Sequence, residues 1–466
     1  MEQEMSPTAA NPAMTKPKMP AGTAAYDAAR MQQFLRDLDD RKLAATSKGQ
    51  PMALSAASDI AGRGWNLLAG DLPFPAAVLK QSALGHNSRW MRRFISATGV
   101  SLAPHGKTTM APQLFAQQLA DGCWGITVAT AQQAAVCAAA GVKRILMANQ
   151  LVGPANIRLI LDLLQADPTI DFYCYVDSAG GIDLLAEAVR QSQARPLNIL
   201  LEIGMAGGRT GCRSLAEASS VLDRLHTTQD CLKLRGVAGY EGLIHAPNQA
   251  ETEARVMDFL EVVAGAVMLC RERNAFAIDN DGRAEAIVSA GGSSFFDMVA
   301  TRLNALQDPG PTRVVIRSGC YLTHDSGLYD DSFPALARRL PEGLAAELGR
   351  LQPALFVWSC VQSRPEPGLA LLTMGKRDAS HDAGLPIPLL RGQVGSATVQ
   401  PLDGSWRIDR MNDQHAYLLL SPDSELQVGD LICCGISHPC TTFDKWREIH
   451  VVDDAWNVTG AIHTFF

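Results

Sequence analysis

The chain has no long hydrophobic run, no block of basic residues and no secretory leader pattern near Met1. No apolar stretch approaches the roughly 20 residues that a membrane-spanning helix needs, so the sequence predicts a soluble protein. The net charge of −7 argues against nucleic acid or an anionic membrane surface as a partner. The 11 cysteines are unevenly spaced, which together with the missing leader pattern favours a reduced, cytoplasmic setting.

The chain also lacks a Gly-x-Gly-x-x-Gly turn after its first apolar run, and this absence bears on the fold class. Eight short apolar runs alternate with Ala- and Leu-rich segments of helical spacing. The runs are Gly99–Pro104, Trp124–Ala129, Arg144–Asn149, Asp171–Asp177, Asn198–Gly204, Leu234–Gly242, Ala286–Gly291 and Arg313–Gly319. An open doubly wound sheet fits the alternation too, but without that glycine fingerprint we favour an α/β fold with a (β/α)8 TIM-like barrel over residues 73–335.

Two further regions flank the predicted barrel. Residues 1–72 form an N-terminal extension, in which the first 24 or so lack apolar periodicity and predict a disordered tail. Residues 26–44 have helical spacing, with Met31, Phe34 and Leu38 on one face. Residues 336–466 contain short alternating runs and turn signals, including 421–424, and predict a C-terminal antiparallel β domain. A chain of 466 residues, 47% of them apolar, suffices for one large domain and a smaller one.

His105 and Lys107 follow the first predicted barrel strand. If the strand continues through them, both side chains point to the same face. Barrel enzymes place their catalytic groups at the carboxyl ends of the strands, and a lysine amine in a partly dry pocket can act as a nucleophile. Taken alone, however, Lys107 also fits a solvated loop lysine.

The seventh and eighth runs end in segments suited to an anion. Gly291, Gly292 and Ser293 precede a helical stretch, so that free backbone amides and a helix N-terminus would face a phosphate. The backbone at Gly319 and the hydroxyl of Tyr321 would complete the site. An ordinary tight turn accounts for the glycines equally well.

Three other side chains belong to loops at the same end of the predicted barrel. Arg209 lies in a glycine-rich loop after the fifth run and would contact an anionic substrate or cofactor, unless it is a solvated loop arginine. Tyr240 and His245 follow the sixth run and add a phenol and an imidazole. His245 by itself is more typical of a structural histidine.

His438 and Cys440 form a His-x-Cys pair in the β domain. Both residue types bind Zn²⁺ well, and a spacing of two places both on one side of an extended segment. Cys433 and Cys434 lie nearby in the sequence, so a closed structural zinc site is one alternative. A buried histidine beside an inert thiol is another.

Together these segments resemble the fold-type III enzymes that use pyridoxal 5′-phosphate (PLP). Within that class they are similar to the family of D-serine dehydratase, D-threonine aldolase and 3-hydroxy-D-aspartate dehydratase, with its alanine racemase-like barrel. Six elements stand in the family's order: Pro104–Thr108, Arg209–Gly211, Tyr240–Gly242, Gly291–Ser294, Gly319–Tyr321 and His438–Trp446. The segment 375–378 followed by Asp382 resembles a further signature of the family's β domain.

The resemblance implies a role for each motif. Lys107 would be the Schiff-base lysine and would remove the Cα proton of the substrate, with His105 and Tyr240 as further catalytic residues. His438 and Cys440 would hold a Zn²⁺ ion that helps a β-hydroxyl group leave. The products would be a 2-oxo acid and ammonia, formed from D-serine, D-threonine or 3-hydroxy-D-aspartate by a homodimer. Cofactor contacts are implied for Lys107, Arg209, Tyr240, Gly291, Gly292, Ser293, Gly319 and Tyr321.

The chain departs from the family pattern at the expected substrate rim. Thr109 stands where family members often have histidine, and Leu243 comes between the Tyr-x-Gly element and His245. The thiolate of the His-x-Cys pair favours zinc over harder ions, and so favours a dehydratase over an aldolase that would give glycine and an aldehyde. An amino-acid racemase would need a second base, for which the sequence offers no clear candidate. A non-catalytic PLP carrier would lack the β domain.

Overall fold

The structure is a computed structural model that describes residues 24–278, 285–292, 294–307 and 310–466. The predicted disordered tail lies, except for its last residue, outside the described residues, and so does Ser293. Within the described ranges, no helix combines the length and the apolar composition needed to cross a membrane.

The elements are numbered along the chain. The strands are β1 (Ala76–Lys80), β2 (Ser101–Leu102), β3 (Ile126–Val128), β4 (Arg144–Gln150), β5 (Asp171–Val176), β6 (Leu197–Ile203), β7 (Leu232–Gly239), β8 (Ala286–Ala290), β9 (Thr312–Ile316), β10 (Leu355–Glu366), β11 (Leu369–Leu372), β12 (Ile387–Gly392), β13 (Val399–Pro401), β14 (Arg407–Met411), β15 (Ala416–Leu419), β16 (Leu431–Gly435), β17 (Glu448–Val452) and β18 (Val458–His463). The helices are α1 (Ala28–Asp39), α2 (Gln81–Thr98), α3 (Pro112–Ala120), α4 (Ala131–Ala139), α5 (Pro154–Ala166), α6 (Ala179–Ser192), α7 (Leu215–His226), α8 (Gln249–Glu272), α9 (Phe296–Asn304), α10 (Leu328–Arg339), α11 (Glu342–Leu348) and α12 (Cys440–Phe443).

Strands β2 to β9 form one parallel sheet in the order β2-β9-β8-β7-β6-β5-β4-β3. Its two ends meet, because the Trp124 amide donates to the Leu102 carbonyl at 2.7 Å and the Thr127 amide to the Pro104 carbonyl at 2.9 Å. Every one of the eight predicted runs overlaps a barrel strand, so the TIM-like barrel is confirmed. Its interior is filled by large side chains from successive strands, including Leu146, Tyr175, Leu200 and Ile287.

Pro104 shortens the first barrel strand. A proline has no amide hydrogen to donate to a ladder, so β2 ends before it and a single 3₁₀ turn over residues 106–108 follows. A Cβ at Gly106 would lie 2.8 Å from a side chain of β3, so the turn packs directly on the barrel. The prediction that His105 and Lys107 share a strand face is therefore wrong, although both side chains line one cavity.

The second sheet has the order β13-β12-β16-β10-β1-β17-β18, with β11, β15 and β14 continuing from β10. All its pairs are antiparallel except β1 with β17, where Val78 lies opposite His450 in parallel register. Strand β1 therefore belongs to the β domain, although residues 76–80 were predicted to lie in the barrel. The sheet is mixed for the same reason, because a strand that precedes the barrel is inserted among strands that follow it. The predicted turn at 421–424 is confirmed by a hydrogen bond that the Ser424 amide donates to the Ser421 carbonyl at 3.0 Å.

The described part of the N-terminal extension contacts both domains. The predicted helix is confirmed as α1, which buries Met31 and Leu38. The Asp27 amide donates to the barrel at the Gly141 carbonyl at 2.7 Å, and the Leu67 amide donates to the β domain at the Trp456 carbonyl at 3.1 Å. Residues between these two contacts add apolar side chains to the core of the β domain.

Candidate active site

A cavity of about 820 Å³ lies at the carboxyl ends of the barrel strands, where the β domain reaches the barrel mouth. Large concave sites at this end of a barrel, lined by convergent polar groups, are the usual place for catalysis. The barrel contributes Lys107, Arg209 and Tyr240 to the lining, and the β domain contributes Asp382, His438 and Cys440.

His105 and Lys107 lie on the barrel side of the cavity. A Cβ at Gly319 would lie 2.6 Å from the carbonyl oxygen of His105, so the segment after β9 can approach the lysine turn only because it is a glycine. Burial, and then the positive charges of Lys107 and Arg317, hold the pKa of His105 well below its usual range. The ring is therefore neutral, and its Nδ1 has no hydrogen-bond partner among the described residues.

The glycine loop after β8 is arranged differently from the prediction. The amides of Gly291 and Gly292 donate to the buried carboxylate of Glu241, at 3.1 and 2.8 Å, so these two amides are not free to bind a phosphate. Gly292 still lines the cavity, and a Cβ there would lie 2.7 Å from the ring of Tyr240. Ser293 lies outside the described residues. The sequence could not reveal this pairing, because Glu241 comes from a different loop.

Tyr321 points into the protein core. Its hydroxyl lies 3.5 Å from Nε2 of Gln118, and burial raises the pKa of the phenol well above its usual range. The prediction that this hydroxyl completes an anion site is therefore corrected. The preceding residue, Cys320, lines the cavity instead.

Positive charge converges on the cavity from several strands. The guanidinium carbon of Arg209 lies 4.5 Å from the centre of the Tyr240 ring, within the range of a cation–π contact. Arg317, which is buried, donates to the Ser289 hydroxyl and to the Gly239 carbonyl, both at 2.7 Å. Since both acceptors are neutral, its charge still contributes to the potential in the cavity, which favours an anionic ligand.

Sequence reasoning missed Tyr175 and Glu202, which line the cavity from β5 and β6. Burial raises the pKa of Tyr175 to about 12, and its hydroxyl has no hydrogen-bond partner among the described residues. Glu202 accepts a hydrogen bond from Gln150 at 2.6 Å, and burial raises the pKa of its carboxyl group. Each is the next-to-last residue of its strand, and a polar residue there within an apolar run was the available signal.

The candidate metal-binding residues of the β domain line the same cavity. Nδ1 of His438 lies 2.7 Å from a carboxylate oxygen of Asp382, which fixes the ring and makes Nε2 the nitrogen suited to a metal ion. The pKa of His438 is raised to about 9, mainly by its contact with the Cys440 thiol and to a smaller extent by its contact with Asp382. A hydrogen bond from the Cys320 thiol holds the pKa of Cys440 well below its usual range.

Two alternatives for the histidines and cysteines find no support in the geometry. Cys433 and Cys434 are fully buried on β16, and no three metal-type side chains converge within the described residues, so a closed structural zinc site is not seen. His245 is exposed at the cavity rim and is not a buried structural histidine.

Two family models match the chain, and together they cover both domains. Residues 79–278 match the alanine racemase N-terminal domain, and residues 354–452 match a domain described as a putative serine dehydratase domain. The chain therefore combines the two domains that these models describe, and it is a PLP-dependent lyase. The enzyme is thus a lyase of the same subfamily as the D-threonine aldolases and 3-hydroxyaspartate dehydratases.

Curated relatives of this lyase include aldolases and a dehydratase. A D-threonine aldolase from Arthrobacter is 25% identical over 83% of this chain and 92% of its own length. A 3-hydroxy-D-aspartate aldolase from Paracoccus denitrificans is 26% identical over 70% of this chain and 77% of its own length. A D-threo-3-hydroxyaspartate dehydratase from Delftia is 34% identical, but over 30% of this chain and 36% of its own length.

Solved structures share the fold of this lyase. A D-threonine aldolase from Filomicrobium marinum has a TM-score of 0.68 at 22% identity, over 86% of this chain and 97% of that one. The Delftia dehydratase has a TM-score of 0.66 at 21% identity, over 86% of this chain and 99% of that one.

The residues of the cavity fit the cofactor of the family. PLP carries an aldehyde, a ring nitrogen, a phenolic oxygen and a phosphate. The cavity offers an amine at Lys107, positive charge at Arg209 and Arg317, and two buried polar atoms without partners, the hydroxyl of Tyr175 and Nδ1 of His105. Unpartnered buried polar atoms are costly, so a bound group that hydrogen-bonds to them would remove that cost.

Proposed function

We propose that this lyase is a PLP- and zinc-dependent dehydratase of a β-hydroxy D-amino acid such as D-serine, D-threonine or 3-hydroxy-D-aspartate. Its products are a 2-oxo acid and ammonia. The observation that carries the proposal is that His438 and Cys440 line the same cavity as Lys107. Bound PLP would supply the electron sink for the charge that develops when the Cα–H bond breaks.

The barrel residues bind the cofactor and move the proton. The amine of Lys107 would hold the cofactor through its aldehyde, and as a general base it would take the Cα proton of the substrate. Burial keeps the neighbouring His105 neutral, so it adds no positive charge beside the amine. Burial raises the pKa of Tyr240, so its phenol stays protonated and can donate a hydrogen bond to cofactor or substrate. Arg209 supplies the charge that orients an anionic group.

The β-domain residues would hold the metal. Nε2 of His438 and the thiolate of Cys440 are zinc ligands by type, and Asp382 orients the imidazole through Nδ1. The metal would act there as a Lewis acid on the β-hydroxyl group, which is otherwise a poor leaving group. A solved cysteine-to-alanine variant of a D-threo-3-hydroxyaspartate dehydratase is described as a metal-free form, which implies that this relative binds a metal.

A metal-dependent aldolase is the second candidate. Three curated relatives that match 70–83% of this chain are aldolases. The thiolate of Cys440 favours the dehydratase, because soft thiolate ligands select zinc over the harder divalent ions.

Product analysis separates the two reactions. The purified enzyme is incubated with a panel of β-hydroxy D-amino acids, and ammonia, 2-oxo acid, glycine and aldehyde are measured. We expect ammonia and a 2-oxo acid in equal amounts, whereas glycine and an aldehyde would establish the aldolase.

A substitution tests the metal role of His438. We expect His438→Ala to lose bound metal and most of the activity, while His226→Ala, at an exposed position on α7, retains both. Full activity after exhaustive chelation would exclude the metal role of His438 and Cys440. The cytoplasmic setting and the homodimer stay predictions.

A further inference from the structure

A second cysteine thiol lies beside the proposed metal residues. Cys320 follows β9 in the barrel, whereas Cys440 begins α12 in the β domain. Their Sγ atoms are 3.8 Å apart, both residues line the cavity, and neither forms a disulfide. Cys320 is only 4% exposed, so the barrel holds its thiol at the domain boundary.

The distance between the two sulfur atoms suits a shared zinc ion. In a tetrahedral site with Zn–S bonds of about 2.3 Å, two thiolate ligands lie about 3.8 Å apart. The Thr108 hydroxyl is the neighbouring polar group, 3.5 Å from the sulfur of Cys440 and 3.9 Å from that of Cys320. The hydroxyl can therefore donate a hydrogen bond to one of the metal-bound sulfurs.

The donor set is that of a catalytic zinc site. His438 contacts the Cys440 thiol, and its Nδ1 is held by Asp382. Two thiolates and one imidazole leave one tetrahedral position open for a substrate oxygen, and catalytic zinc sites of this composition occur in other enzymes. Within the described residues the three groups are not yet close enough together to hold an ion, so metal binding requires their side chains to move closer to one another.

We propose that Cys320 is a third protein ligand of the metal, so that zinc is held by His438, Cys440 and Cys320 across the domain boundary. The proposal rests on the metal-dependent function above and specifies its ligand set. A second thiolate makes the site softer and hence more selective for zinc over magnesium or manganese. It also makes the complete site depend on both domains, because one sulfur comes from each.

X-ray absorption of the zinc-loaded wild-type enzyme tests the proposal directly, because it counts the sulfur atoms bound to the metal. We expect two sulfurs at about 2.3 Å. One sulfur overturns the assignment of Cys320 and leaves the proposed function intact. Zinc without any sulfur ligand, or no stoichiometric zinc at all, overturns both.

Substitutions give a second, independent readout. In the cobalt-substituted enzyme, the thiolate-to-metal absorption band should fall by about half in Cys320→Ser and in Cys440→Ser. In both variants the zinc affinity, measured by chelator competition, should also fall at least about tenfold. Cys360→Ser is the matched control, since Cys360 lies on β10 outside the cavity lining. A full-strength band in Cys320→Ser beside a weakened one in Cys440→Ser would refute the third ligand. If Cys320→Ser fails to fold, the sulfur count of the wild type decides alone.

Discussion

Lys107 owes its position to the residues around it. Pro104 ends the strand, Gly106 lets the following turn pack on β3, and Gly319 lets the exit of β9 approach the turn. The motif was recognisable in the sequence, but the turn was not, because it depends on contacts with two other strands. Tyr175 and Glu202 were missed for a similar reason, since which strand residues face the cavity is decided by the closed barrel.

Substituting Lys107 tests its role as the cofactor lysine. We expect Lys107→Ala to lose the visible absorbance of covalently held PLP and to lower activity at least about 100-fold, because a positioned general base alone contributes about 10²- to 10⁴-fold. Absorbance spectra and peptide mapping after borohydride reduction measure both properties. Lys42→Ala, at an exposed position, should match the wild type. Reduced cofactor recovered on another lysine of the wild-type enzyme would refute the assignment.

His450 makes stability depend on pH through its burial. Desolvation lowers the pKa of His450, and this effect exceeds the opposing ones of the Gly49 carbonyl and Glu448, which raise it. The folded protein therefore keeps the ring neutral. Below pH of about 6.5 the unfolded chain binds a proton that the folded protein does not, and stability falls with acidity by up to about 1.4 kcal/mol per pH unit. We expect His450→Gln to show a shallower loss of unfolding free energy between about pH 7 and pH 5, measured by urea titration. An unchanged slope would contradict this account.

At the scale of elements, the strands of the barrel were the easiest to predict. Strands of a parallel sheet are buried on both faces and therefore read as continuous apolar runs. Strand β1 was not predicted as a strand, and its residues were assigned to the barrel, because its partners β10 and β17 follow the whole barrel and leave no local signal near residue 76. In the β domain, strands β12, β13 and β18 have no clear strand pattern in the sequence. They are short, or mix polar residues and glycine or proline with apolar ones.

The loop between β11 and β12 is attached to the N-terminal extension through Lys48. Its Nζ lies 2.7 Å from the carboxylate of Asp378, whose side chain is 2% exposed, and 3.8 Å from the centre of the Trp446 ring. The amide of Gly375 also donates to this carboxylate, at 2.8 Å. The same loop continues to Asp382, the partner of His438, so the extension supports the metal side of the cavity.

Removing the charge of Lys48 should loosen this attachment. We expect Lys48→Met to lower the unfolding free energy by about 1–2 kcal/mol, less than for a fully buried pair because Lys48 is itself 36% exposed. Lys376→Met, at an exposed position in the same loop, should change stability by less than about 0.5 kcal/mol. The unfolding free energy of both variants is measured by urea titration. If the two substitutions lower it equally, the ion pair between Lys48 and Asp378 contributes nothing to stability.

At the scale of the whole molecule, the candidate site belongs to neither domain alone. The barrel places Lys107, and the β domain places His438 and Cys440, more than 300 residues later in the chain. Each motif could be read from the sequence because each is local. Their convergence in one cavity, and the approach of Cys320 to Cys440, could not, because they depend on how the two domains meet.

The N-terminal extension also links the two domains in stability. Ile60 is fully buried in a cluster with Leu67 and Trp358, while α1 of the same segment packs on the barrel. We expect Ile60→Ala to lower the unfolding free energy by about 2–5 kcal/mol, as large-to-small core substitutions do. Hydrogen exchange followed by mass spectrometry should show a loss of protection in peptides of both domains, because the segment that loosens contacts both.

A matched control separates this effect from the loss of any apolar side chain in the extension. Met52→Ala removes a side chain that is 44% exposed and should leave exchange nearly unchanged. If Ile60→Ala lowers protection only in the β domain, the extension stabilises that domain alone and does not couple it to the barrel. In that case the geometry at the boundary, including the distance between Cys320 and Cys440, would depend on direct contacts between barrel and β domain.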